Sequence, residues 1–196
     1  MRNRPTLAAA VAALCVAAVP ASAAARVPVC PVVTDPKGDA TPPDASLDVT
    51  SVTYSKVGKD LAVTIKVDKL AENVSTAWGD RFQAEFNAND KAVEVYYKRS
   101  RTRNEEANVF YQSGLRVSGT FVSDAGIKAK HDLKASTVTI TIALTSLKAG
   151  VGKSVDGAEI SDLGASAQRS FIGTNNRADT VTSETSFKVA PCVTKK

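Results

Sequence analysis

The chain has 196 residues, with 25 Lys and Arg against 20 Asp and Glu, three Cys, one Trp and one His. That length suits one domain with an ordinary core. A formal net charge of +5 is too small to call for nucleic acid or a membrane surface as partner, and one histidine with three cysteines leaves zinc without a ligand set.

Arg2 and Arg4 precede an apolar run from Leu7 to Val19 that ends in Pro20-Ala21-Ser22-Ala23. A positive start, a short apolar stretch and a small-x-small site describe a secretory signal peptide over residues 1–23. Pro20 and Ser22 break the run before it reaches the ~20 apolar residues of a membrane span. A secreted, extracellular chain with no transmembrane segment after cleavage is therefore expected. The signal carries two of the 25 basic residues and no acid, which lowers the mature charge to +3. Cys30 and Cys192 then remain near opposite ends of the mature chain, and in an oxidising compartment such a pair reads as a disulfide.

Residues 24–46, rich in Pro, Asp and small side chains, read as an extended leading segment. Its one turn, Asp35-Pro36-Lys37-Gly38, has Asp, Pro and Gly where a type I turn wants them. A β domain follows over residues 47–192, and 193–196 form a C-terminal tail. Within the domain the apolar period is two. Leu61, Val63, Ile65 and Val67 alternate with polar residues, as do Phe82, Ala84, Phe86 and Ala88, then Val93, Val95 and Tyr97, and later Val138, Ile140, Ile142 and Leu144. Further strands are predicted over Leu47–Tyr54, Val109–Gln112, Leu115–Val122, Gly126–Lys130, within Ala158–Phe171 and over Glu184–Val189, with one helical turn at Leu144–Leu147. Turn signals stand at 57–60, 87–90, 123–126 and 173–176. Short strands at this spacing predict an all-β fold, an antiparallel β-sandwich of jelly-roll type, monomeric by default.

Few residues invite chemistry. Asp132 follows His131 directly, so on a strand the two point to opposite faces and the acid cannot orient the ring; His131 reads as a surface or loop residue. Gly150-Val151-Gly152-Lys153-Ser154 ends like a phosphate-binding loop, but Leu147 stands where its first glycine belongs, which makes it an ordinary loop. Glu105, Glu106 and scattered Asp residues could supply a glycosidase pair, although nothing in the pattern positions them. No catalytic residue is assigned. Trp78, at a strand entrance, is either a lid on the core or a platform for a sugar ring. Arg99, Arg101 and Arg103 share the strand parity of Val93, Val95 and Tyr97. Unpaired arginines cannot extend a buried face, so the strand is expected to leave the core near Lys98 and project them as a basic ridge. That ridge would bind an anionic polymer through bidentate contacts, or be a solvated hairpin tip paired with Glu105 and Glu106.

The run Asp35-Pro36-Lys37-Gly38-Asp39, then Leu47-Asp48-Val49, a hairpin at Gly58-Lys59-Asp60-Leu61, and Asp179 ahead of Phe187-Lys188-Val189 together resemble the carbohydrate-binding-module family 9-like (DOMON-type) β-sandwich. The likeness extends over most of the mature chain, and its motifs are short. Members bind sugars, haem or structural calcium. Haem members use Met and His ligands, whereas here the one Met is Met1 and the one His is His131; sugar binders clamp their ligand between aromatic rings, for which Trp78 is the candidate. Calcium fits the tight Pro-Gly turn between two acids, with Asp35 and Asp39 as first ligands and Asp48 and Asp179 as further candidates. The alternative is that Asp35 caps its own turn and the others are solvated.

The sequence thus predicts a secreted, non-catalytic binding or accessory domain for extracellular carbohydrate or anionic cell-envelope polymer. A structural or protein-interaction module is the alternative, and a hydrolase the third.

Overall fold

The structure, a computed structural model, describes residues 28–41, 44–72, 79–101, 109–123, 125–171 and 174–193. The proposed signal peptide, Trp78, Arg103, Glu105 and Glu106 lie outside them. Two antiparallel sheets pack face to face. The first has five strands in the order β1-β2-β3-β9-β8: β1 Val32–Thr34, β2 Val49–Val57, β3 Asp60–Val67, β9 Thr137–Ala143 and β8 Lys128–Asp132. The second has the order β11-β10-β4-β5-β6-β7: β11 Thr174–Ser183, β10 Glu159–Phe171, β4 Asp80–Ala88, β5 Lys91–Arg101, β6 Val109–Val117 and β7 Thr120–Phe121. β12 (Phe187–Lys188) adds to the start of β10, and α1 (Leu144–Val151) follows β9. The all-β antiparallel sandwich expected from the periodicity is present. Its jelly-roll form is not confirmed, because a jelly roll is two Greek keys, whereas here runs of consecutive strands stay in one sheet.

Alternation explains the packing. Leu61, Val63, Ile65, Val138, Ile140 and Ile142 from the first sheet meet Phe82, Ala84, Phe86, Val95 and Leu115 from the second in one core, as two inward faces of a sandwich should. The turn between β4 and β5 sets the register of the larger sheet. Asn89 and Asp90 both take positive φ, 50° and 61°, the requirement of a two-residue hairpin turn whose twist matches its strands. The pairing then runs unbroken from Ala88–Lys91 to Asp80–Arg99.

Several boundaries differ from expectation. Val109–Gln112 and Leu115–Val122 are one strand, β6, and the start of β7, joined by a turn at Ser118-Gly119. The turn placed at 173–176 gives way to β11, which begins at Thr174. The helical turn extends to Val151, since Leu144, Leu147 and Val151 bury one helical face and Gly152 closes the helix at φ 85°. The leading segment is part of the sandwich, because β1 pairs with β2 and Val29 bridges Val193. Cys30 and Cys192 are bonded beside that bridge. Closing a loop of 162 residues contributes about 5 kcal/mol in the chain-entropy account.

One tyrosine ties the sheets together. Tyr54 on β2 crosses the core, where its hydroxyl donates to the carbonyls of Glu85 and Gly164 at 2.9 and 2.7 Å. Those carbonyls belong to the Glu85–Gly164 pair, at the edge of the place where β4 and β10 slip register between Ser161 and Gly164. Burial pushes its pKa well above the ordinary tyrosine value. Tyr54→Phe keeps the ring and removes the donor. It should cost about 1–3 kcal/mol in urea-induced unfolding, with little change in far-UV spectrum.

Candidate functional site

The acids of the leading segment converge. Asp35 follows β1, Asp39 ends the turn and Asp179 lies on β11; one carboxylate oxygen from each falls within 4.8 Å of the others. Oxygens across a calcium ion stand up to about 5 Å apart, twice its bond length, so this trio fits one coordination shell. Asp48, just before β2, lies beside it at 3% exposure. Its Oδ2 accepts the Gly38 amide at 2.7 Å, while its Oδ1 is buried with no hydrogen-bond partner in the protein. Gly38 makes this possible, since φ 92° turns its amide toward Asp48 where another residue would be strained. Asp179 is held in turn, accepting the Val49 amide on Oδ2 at 2.6 Å and the Thr180 amide on Oδ1 at 2.7 Å.

The acids of the cluster repel one another. Burial, then the charges of Asp179, Asp39 and Asp48, hold the Asp35 carboxyl above its usual range. Asp179 is raised as well, by burial and by Asp39 and Asp48, against the lowering effect of its two amide donors. Lys37, within the same turn, pairs with Asp68 at 2.6 Å instead. Among the described residues none of the four acids forms an ion pair.

A second group of acids is matched internally, and it corrects the expected basic ridge. β5 does not leave the core near Lys98; it runs to Arg101. Arg99 is 1% exposed and pairs at 2.9 Å with Asp80, which is fully buried. Its Nη1 donates to the Ala71 carbonyl at 2.7 Å. The chain is tight there, for a Cβ on Gly79 would lie 2.0 Å from the Arg99 carbonyl oxygen. Arg169 on β10 reaches the same carboxylate at 3.2 Å and Asp44 at 2.5 Å. Asp44, whose pKa is lowered by Ser46 and Arg169 against the effect of burial, also accepts from the Ser46 amide and hydroxyl. Arg99 is buried because it is paired. A sequence signal existed: Asp80 has the parity of Phe82 and Phe86, and a two-residue turn at 89–90 sets it opposite Arg99. Arg101 ends β5, and its side chain lies outside the described residues, as do Arg103 and Trp78.

Two further groupings were missed. His131 is no loop residue; it stands on β8 and stacks with Tyr97 and Tyr111, with centroids 6.2 and 5.8 Å away, while the two tyrosines stack on each other 5° from parallel. Tyr97 hydroxyl and His131 Nδ1 share a 3.0 Å hydrogen bond. Burial, followed by the charge of Arg99, lowers the imidazole pKa, and the Tyr97 phenol is pushed up to about 12 by burial and then Tyr111. Tyr111 is 57% exposed, so this stack ends in an open ring. On the outer face of the larger sheet, Glu85 and Glu94 oppose each other in a recess of about 360 Å³. Arg81 and, at 3.8 Å, Arg116 engage Glu94, and Gln83 donates to Glu85.

Removing one member of the buried pair should be severe. Asp80→Asn is expected to lose about 3–5 kcal/mol in denaturant unfolding, since the buried Arg99 guanidinium is left without a carboxylate and Arg169 keeps only Asp44. Arg99→Lys should not rescue the fold, because an ammonium cannot serve Asp80 and the Ala71 carbonyl with one planar fork.

Comparison with known proteins adds no relative: no protein-family model, no curated protein and no solved structure matches this chain.

Proposed function

We propose that the chain is a secreted, non-catalytic binding module whose leading and closing segments are clasped by a calcium ion, and whose ligand is extracellular carbohydrate or cell-envelope polymer. The observation that carries this reading is the set of Asp35, Asp39 and Asp179 with the unpartnered buried oxygen of Asp48 beside it. Leaving a buried carboxylate oxygen such as Asp48 Oδ1 without a donor or cation is costly, and oxygens from carboxylates are what calcium takes. The resemblance of this segment to the carbohydrate-binding-module family 9-like sandwich points the same way. A disulfide suits an oxidising, calcium-rich exterior, and among the described residues no helix is long and apolar enough to cross a membrane. Binding rather than catalysis is supported by His131, which is hydrogen-bonded to a phenol, and by Asp132, which caps its own turn on Ala135. For a sugar, Tyr111 supplies the flat apolar face, pre-stacked on Tyr97 and His131.

The sign of the pH effect follows from the raised carboxyls. A carboxyl whose folded pKa exceeds its unfolded value stabilises below the unfolded value and loses that contribution as pH rises through the folded one. In metal-free protein, Asp35 and Asp179 therefore disfavour folding at neutral pH. Calcium should raise the melting temperature by several degrees at about pH 7 and by much less near pH 4, and Asp35→Asn with Asp179→Asn should remove the difference. Melting curves unmoved by calcium against chelator at both pH values would defeat the metal reading.

Tyr111→Ala should abolish retention on any neutral glycan that the wild type binds and leave the melting temperature within about 1 °C. Unchanged affinity electrophoresis in glycan gels would remove the ring from the site.

A further inference from the structure

The arginines of the strands are confined to the larger sheet, whereas lysines stand on both. None of the five strands of the first sheet contains an arginine, and its outer face is built of threonine, serine and lysine. β9 turns Thr137, Thr139 and Thr141 outward, successive ones about 6.8 Å apart by the two-residue rise of a strand. Register sets Thr139 between Thr64 and Lys130, Thr141 between Ala62 and Lys128, and Thr137 between Lys66 and Asp132. Every one of these rows thus carries an exposed lysine. A recess of about 570 Å³ opens on this face, lined in part by Lys130, Lys134, Thr137 and Thr139. Asp132 shares it, but one of its carboxylate oxygens accepts the Ala135 amide at 2.9 Å and closes the β8–β9 turn.

We propose that this face docks a linear phosphate polymer, with one phosphate in the recess between Lys130, Lys134 and the hydroxyls of Thr137 and Thr139, and with Lys66 and Lys128 extending the track. The proposal rests on the envelope-polymer reading above and names the polymer's chemistry. Among the described residues none of these four lysines has an ion-pair partner, so their charge is available. Thr64 and Thr139 share one hydrogen bond at 3.2 Å between their hydroxyls, which leaves one of the two O–H groups to donate outward. An ammonium group acts on a phosphate as a compact point charge with three donors, and neighbouring hydroxyls add donors for the remaining oxygens. Lysines repeated along neighbouring rows engage several phosphates of one chain together, while free phosphate meets them singly.

The test uses the mature chain in calcium-free buffer, well below its melting temperature, with long-chain inorganic polyphosphate, inorganic phosphate and polygalacturonate as probes in fluorescence anisotropy. Polyphosphate should bind far more tightly than free phosphate and weaken about tenfold or more between about 50 and 300 mM NaCl. Lys66→Ser, Lys128→Ser and Lys130→Ser combined should weaken polyphosphate binding by about tenfold or more with melting unchanged, while Lys98→Ser on the other sheet should not. Thr137→Val with Thr139→Val should weaken polyphosphate binding at constant charge. Polygalacturonate bound as tightly as polyphosphate overturns the phosphate assignment. Polyphosphate binding that survives the triple substitution overturns this face and leaves the envelope-polymer reading standing, and wild type that binds neither polymer nor neutral glycan overturns both.

Discussion

Clustered carboxylates, of which Asp48 and Asp80 are buried, govern the end of the sandwich where the leading segment crosses it, and the loop from Asp44 to Asp48 divides them into two groups. At one end of that loop Asp44 joins Asp80, Arg99 and Arg169, a network in which every acid has a guanidinium. At the other end Asp48 joins Asp35, Asp39 and Asp179, where the chain supplies amides and the nearby Lys37 is paired with Asp68 instead. Two routes to neutrality thus lie side by side. The first is complete as soon as the chain folds; the second depends on what the surroundings contain. Asp80, Arg99 and Arg169 of the first group come from β4, β5 and β10 of the larger sheet, and the residues of the second bind the segments around β1 and β2 to β11. The two groups together therefore join both sheets at this end, as Tyr54 does in the middle of the core.

Much of this architecture was legible because half-buried strands alternate. β3, β4, β5 and β9 were plain from period two, and the turns at 57–60 and 87–90 were plain from their glycine, asparagine and aspartate. β11 was not, since Thr174–Ser183 is an edge strand with only Val181 among its described side chains in the core, and a polar edge strand has the composition of a loop. The end of α1 was hidden by Gly150 and Gly152, which read as loop residues although Gly152 is the cap that stops a helix. β1 was too short to declare a period.

The candidate site divides in the same way. Asp35, Asp39 and Asp179 could be grouped because a tight turn between acids and a cysteine pair at the chain ends both act across sequence distance in a known direction. The burial of Arg99 is not legible from the parity of one strand, because a buried ion pair is a property of two. Tyr111 and His131 gave no signal, since they meet across different sheets and neither their strand parity nor their spacing predicts a stack.

The joined ends have a mechanical consequence. Tension applied to the segments before Cys30 and after Cys192 passes through a single covalent bond and bypasses the chain between them. Neither sheet is then loaded, so no strand is peeled from its neighbour when the flanking segments are pulled apart. A domain tethered at both ends to something that moves would keep its ligand-facing surfaces in shape under loads that unzip sandwiches held by hydrogen bonds alone.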